Sequence, residues 1–240
     1  VDISTIRAAE RSRDETLRFL SHDMRAPQAS ILALLELQSE TTAVLPQAEL
    51  FLRIEKAARK TLGLADNFVQ LARAESHEYR YEEVSFQDLV LDAADEMWAL
   101  AKNHQIRLIT QLDDDDLLTK VDRVLFTRAL VNLISNAINY SPPATQIVLS
   151  AHHSSGGNGK HELLCVISDQ GYGIAAADQP KLFQRFQRLQ TPGQARKDGI
   201  GLGLVFVKTV VERHGGQISF TSEVGLGTSF TIHLPLIESS

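Results

Sequence analysis

At 240 residues, with 43% hydrophobic and 22% charged residues, the chain has the composition of a folded globular protein that can bury a sizeable core. Its net charge of −6, from 24 Lys and Arg against 30 Asp and Glu, argues against non-specific nucleic-acid binding, which normally shows as a basic patch. Its one cysteine excludes an intrachain disulfide, and no window approaches the roughly 18–20 apolar residues of a membrane span.

Residues 1 to about 44 carry no glycine, and their single proline is Pro27. Apolar residues at Leu17, Leu20, Met24, Ile31, Leu34, Leu35 and Leu37 recur at helical spacing and give one wide apolar stripe. Leu45-Pro46-Gln47 reads as a turn, since proline ends one helix and opens the next. The helical period resumes over residues 48–76 through Leu50, Leu52, Ile54, Leu62, Phe68 and Leu71. Such a hairpin has more apolar face than one copy can cover. A second copy would bury it as a four-helix bundle dimer; the alternative is packing against the rest of its own chain.

The polar run 76–83 reads as a linker. Beyond it the pattern predicts a helix over 86–103, a strand near 106–112, a helix near 122–140, and strands at 146–152 and 162–169. A helix near 204–214 and a strand pair, 217–223 and 228–235, complete an α+β sandwich with helices on one face of the sheet. Asp113–Asp116 reads as a solvated turn. Ser154–Lys160 reads as a flexible hairpin connection, because it lacks the spacing and closing Ser or Thr of a P-loop. Cys165, within an apolar run, reads as a buried strand thiol.

Four constellations carry chemistry. Phe19-Leu-Ser-His-Asp-Met-Arg-Ala-Pro27 sets His22 beside Asp23, with Pro27 loosening the helix about one turn on. Imidazole is a competent nucleophile at neutral pH once deprotonated and oriented. Asn132 and Asn136, four apart on a partly apolar helix, share one face, where buried asparagine is costly without partners. An amide oxygen there can ligate Mg²⁺ without adding charge. Asp169-Gln-Gly-Tyr-Gly-Ile174 follows a strand, and a carboxylate at a strand end can accept an exocyclic amine of a base. Gly199-Ile-Gly-Leu-Gly-Leu204 opens a helix, whose first amides and positive dipole end suit phosphate.

Taken in order, these four resemble the H, N, G1 and G2 boxes of the sensor histidine kinases of two-component signalling, and the resemblance covers nearly the whole chain. It implies a helical-hairpin dimerisation and phosphotransfer domain over 1–77, a linker over 78–83, and over 84–240 an ATP-binding domain of the histidine kinase, gyrase and heat-shock chaperone type. It implies that His22 accepts the γ-phosphoryl group of ATP with Asp23 as general base, and that an aspartate of a response regulator receiver domain then takes it. For the ATP·Mg²⁺ site it implies Asn136 on the metal, and Asn132 and Tyr140 at the phosphates and sugar. Asp169, Gly171 and Gly173 fall at the adenine, supported by Thr228 of Gly225-Leu-Gly-Thr-Ser-Phe230. Gly199, Gly201, Leu202, Gly203 and Leu204 fall at the phosphates. Leu182-Phe-Gln-Arg-Phe-Gln-Arg-Leu189 resembles the F box, where Arg188, and less so Arg185, would neutralise phosphate charge. The expected setting is cytoplasmic, as part of a longer and membrane-anchored sensor, with a homodimer as the working form and no membrane or nucleic-acid contact within this stretch.

Two positions depart from the family pattern. Ala26 stands four after His22, where kinases that also dephosphorylate their partner carry Thr, Ser or Asn. Asn139 stands where many members carry Lys or Arg facing the phosphates. Two rivals stay open: a nucleotide-binding scaffold that signals by conformation, and an ATPase that turns over ATP without phosphohistidine.

Overall fold

The structure is a computed structural model and describes residues 23–38, 45–75, 78–113, 117–155, 161–187 and 201–237. The chain divides into two compact units, Val1–Val69 and Gln70–Ser240.

In the first unit, helix α1 covers 23–38 and helix α2 begins at Gln47. The carbonyl of Pro46 accepts from the Leu50 amide (3.0 Å), so the proline opens α2 and its ring costs the helix no donor. Exposed pairs at i,i+4, Arg53–Glu49 at 2.5 Å and Arg59–Glu55 at 2.7 Å, lie along its polar side. Leu32, Leu35, Phe51, Leu52, Leu62 and Val69 are exposed, which leaves much of the apolar stripe of both helices outside any core among the described residues. The N-terminal part of the first predicted helix and the end of that helix, 1–22 and 39–44, lie outside the described residues.

Helix α2 runs on to Glu75, and its last turn belongs to the second unit through Leu71 and Ala74, both buried. There follow β1 (Glu82–Ser85), α3 (Phe86–Asn103), β2 (Arg107–Leu112), β3 (Leu118–Val121), α4 (Arg123–Tyr140), β4 (Gln146–Ser155) and β5 (His161–Asp169). A 3₁₀ turn at Gln179–Lys181, α5 (Gly203–Arg213), β6 (Gln217–Glu223) and β7 (Gly227–Pro235) complete the unit. The main sheet has the order β2-β4-β5-β7-β6, parallel between β2 and β4 and antiparallel elsewhere. Alternation along the strands puts Ile147, Leu149 and Ala151, then Leu163, Cys165 and Ile167, then Phe230, Ile232 and Leu234 on one buried face. Helices α3, α4 and α5 cover that face with Phe86, Leu89, Phe126, Leu130, Leu133, Phe206 and Val210. The opposite face, with Ser150, Val166 and Thr231 in one register row, is half-exposed. Cys165 is the buried strand thiol expected, and burial pushes its pKa up to about 12.

Sequence periodicity misses the two-stranded sheet of β1 and β3, paired antiparallel with Val84 opposite Thr119. Each has four residues, too few for an alternation to register, and exposed Glu82 and Glu83 make β1 read as polar linker. The segment before it is also packed. Tyr79 donates to the Ala74 carbonyl (2.6 Å) and Tyr81 to that of Arg213 (2.9 Å).

Candidate functional site

The site is built around the C-terminal end of β5. Asp169 is buried, and its Oδ1 accepts from the amides of Gly171 (2.8 Å) and Thr228 (3.1 Å). Burial raises its pKa above the ordinary carboxylate range, and the two amides oppose that rise. Both bonds fall on Oδ1, so among the described residues Oδ2 is the oxygen left to meet a ligand. The turn that follows is pressed against two neighbours. The amide of Tyr172 donates to the carbonyl of Tyr140, the last residue of α4 (3.1 Å), and the Tyr172 carbonyl accepts from Gly225 (2.8 Å). Gly173 has φ +69°, and a Cβ there would lie 1.9 Å from the Glu223 carbonyl oxygen, so only glycine fits.

Helix α4 starts on Asp122, whose Oδ1 accepts from the Leu125 amide (3.1 Å) as an N-cap. Its core side is Leu125, Phe126, Ala129, Leu130, Leu133, Ile134, Ala137 and Ile138, which turns Asn132, Asn136 and Asn139 away from the sheet, all partly exposed. Asn132 donates to the Arg128 carbonyl (3.0 Å), and its Oδ1 lies 3.1 Å from where a Cβ would sit on Gly203. The first residue of α5 therefore abuts the asparagine face of α4. Among the described residues no side chain caps α5, and the first amides of a helix have no partner within it. Gly201, with φ +73°, lets the chain pass against the 182–187 segment, where its carbonyl accepts from the Phe186 amide (3.1 Å).

The structure thus brings Asp169, Gly171, Gly173, Tyr140 and Thr228 together, and sets Asn132 against Gly203. Leu202 is buried in the core and Leu204 half-buried behind it. Among the described residues the Asn136 side chain makes no hydrogen bond, and Asn139 makes one long contact to the Ser135 hydroxyl (3.4 Å). Asp23 and Ala26 lie on α1 in the other unit; His22, Arg188 and Gly199 lie outside the described residues. Thr228 supports Asp169 through its amide, while its hydroxyl pairs with that of Ser222 (2.8 Å).

Several supporting residues were missed from sequence. The Ser222 hydroxyl accepts from the Ile174 amide (2.8 Å) and donates to the Gly227 carbonyl (3.0 Å), while Gln179 donates to the carbonyls of Ile174 and Ser222 (both 3.1 Å). These bonds hold the glycine turn of Asp169–Ile174 onto the β6–β7 turn. At the far ends of the two site helices, buried His214 closes α5: its Nε2 accepts from the Asp122 amide (2.8 Å) and its Nδ1 donates to the Val210 carbonyl (2.7 Å). That pattern needs a neutral ring, and burial lowers its pKa accordingly. Asp122 Oδ2 also accepts from the Arg80 amide (3.0 Å), tying the segment before β1 to the same point. A lone serine, glutamine or histidine gives no periodic signal from which such pairings could be read.

No helix among the described residues is long and apolar enough to cross a membrane, and those residues hold no group of three or more His, Cys, Asp or Glu suited to a metal ion. Residues 121–238 match the family of histidine kinase-, DNA gyrase B- and HSP90-like ATPases. Over 99% of its length the chain is 29% identical to the sensor histidine kinase WalK of Bacillus subtilis, of which it spans 39%. It is similar in fold to the histidine kinase AdeS of Acinetobacter baumannii, with a TM-score of 0.70 at 22% identity over 90% of this chain and 98% of that one. The same holds for ShkA, solved full-length in complex with AMPPNP, with a TM-score of 0.66 at 19% identity over 95% of this chain and 46% of that one. The chain spans less than two thirds of the first relatives it matches: 39%, 28% and 58% of their lengths.

Proposed function

We propose that this chain, which belongs to the sensor histidine kinases and carries their catalytic region, is an ATP-dependent autokinase that phosphorylates His22 and passes the phosphoryl group to an aspartate on a response regulator receiver domain. The observation that carries the reading is the Asp169 carboxylate. It is buried, fixed at one oxygen by two backbone amides, and set at a strand end beside a turn that only glycine can make. A fixed acceptor of that kind suits the exocyclic amine of adenine.

On this reading the remaining residues take the roles that proximity allows. The amides at the start of α5, with Gly201 and Gly203, would meet the phosphates, Asn132 and Tyr140 would flank them from α4, and Gly199 joins this set by the resemblance alone. Asn136, a neutral amide on the half-exposed face of α4, would hold Mg²⁺ jointly with the phosphates, where the ion supplies charge neutralisation. Asp23 would hold the imidazole N–H of His22 and leave the other nitrogen free to attack the γ-phosphorus, with ADP departing. Positioning and charge neutralisation dominate such a transfer.

Residues 1–77 would then form the dimerisation and phosphotransfer part, 78–83 the connection, and 84–240 the nucleotide-binding part. The exposed Leu32, Leu35, Phe51, Leu52 and Leu62 support a second copy of the hairpin as their cover. The test is incubation with γ-labelled ATP followed by addition of a receiver domain. Label that appears on the chain and then moves to the receiver supports the reading; ATP turnover with no label on the chain favours the ATPase alternative.

A further inference from the structure

We propose that Arg185 is a phosphate-binding residue and that Glu75, in the last turn of α2, competes with the nucleotide for it. The inference rests on the nucleotide reading of the site given above, and it adds a residue outside the nucleotide-binding part that sets the affinity.

Arg185 sits in the segment 182–187 that lies against the G2 turn: the amide of its neighbour Phe186 donates to the Gly201 carbonyl (3.1 Å), and a Cβ on Gly201 would meet the Gln187 carbonyl at 2.4 Å. Its Cα is therefore within a side-chain length of the amides that open α5. Phe186 is held at φ +63°, a conformation rarely adopted by an aromatic residue, which fixes how this segment approaches Gly201. The Arg185 guanidinium nevertheless turns toward α2, where its Nη2 donates to Glu75 Oε1.

Glu75 is presented from a firmly held main chain. Its carbonyl accepts from Arg213 Nη2 (3.1 Å), the carbonyl of Ala74 before it accepts from the Tyr79 hydroxyl (2.6 Å), and Leu71 and Ala74 are buried in the core. The turn therefore stays in place whether or not Arg185 is bound to it. The ion pair itself is the weaker part, with the arginine side chain 30% and the glutamate side chain 42% exposed. Pairs this exposed are easily exchanged, and a nucleotide phosphate carries more charge than one carboxylate. One guanidinium thus has two anionic partners within reach. Whatever strengthens or weakens Glu75–Arg185 then changes nucleotide affinity in the opposite sense.

The test is calorimetric titration of the whole chain with AMPPNP and Mg²⁺ in wild type, Glu75→Gln, Arg185→Gln and the double variant. Glu75→Gln keeps the shape of an exposed side chain and removes the competing carboxylate, so binding should tighten by about two- to fivefold at ~50 mM salt, and by less at ~500 mM. Arg185→Gln should weaken binding by about three- to tenfold, and in that background Glu75→Gln should have no effect. Unchanged or weaker binding by Glu75→Gln, or the same gain when Arg185 is absent, would overturn the competition. Failure of wild type to bind AMPPNP at all would overturn the nucleotide reading itself, and this inference with it.

Discussion

Replacing Asp169 by Asn removes the charge of one buried group while nearly preserving its shape, and it separates ligand binding from folding. The amide oxygen can take over the Oδ1 position and keep the bonds from Gly171 and Thr228, at 2.8 and 3.1 Å. The amide nitrogen then falls where Oδ2 was, and there it offers donors to an adenine amine that is itself a donor. Losing a charge-assisted hydrogen bond removes about 1.5–3 kcal/mol, and leaving a buried donor unsatisfied costs about 1–3 more. The sum of about 2.5–6 kcal/mol corresponds to roughly sixtyfold to twenty-thousandfold weaker binding. Folding moves little or the other way, because the raised pKa of Asp169 shows that burial disfavours its charge and the neutral amide escapes that cost. Calorimetric titration with an ATP analogue and a thermal melt of the same samples make the comparison. Binding within a few fold of wild type would refute the assignment, and a lower melting temperature matching the lost affinity would refute the argument that the two are separable.

Three further outcomes are expected. Gly173→Ala forces a Cβ to 1.9 Å from the Glu223 carbonyl at φ +69° and should cost about 3 kcal/mol or more, read as a fall of roughly 6–12 °C in Tm; a shift of a degree would mean that the turn relaxes freely. His214 holds its Asp122 contact only as a neutral ring with a lowered pKa. The stability tied to it is therefore full above the unfolded pKa of about 6.5 and is lost as pH falls through and below that value, so His214→Phe should flatten the pH dependence of the urea midpoint between about pH 7 and 5. Ala26 is exposed on α1 and offers no group to align water, so wild type should barely speed the decay of phosphorylated receiver, whereas Ala26→Thr, costing only a few tenths of a kcal/mol in helix propensity, should speed it; strong acceleration by wild type would contradict this.

The elements with many repeats of their period were legible in the sequence. Helices α3 and α4 and strands β4, β5 and β7 each bury a regular set of positions, and the glycine turns announce themselves between them. What stayed hidden depends on contacts between distant residues. Strands β1 and β3 find their pairing across α3 and β2, and four residues show no period. Ser222 reaches the glycine turn from 48 positions away, and His214 reaches Asp122 from 92. Thr228 falls at Asp169 as the motif implies, and the strand geometry of β7 decides that its amide makes the contact. The pairing of Arg185 with Glu75 depends on the last turn of α2 being part of the second unit, which no spacing in the sequence reveals.

The central claim, that ATP held at Asp169 donates its phosphoryl group to one histidine, is tested most directly by the chemistry of the label. After incubation with γ-labelled ATP and Mg²⁺, the account predicts a label on the chain that is lost in acid, survives base, and is absent from both His22→Gln and Asp169→Asn. Label that survives acid, or that persists in His22→Gln, would contradict it.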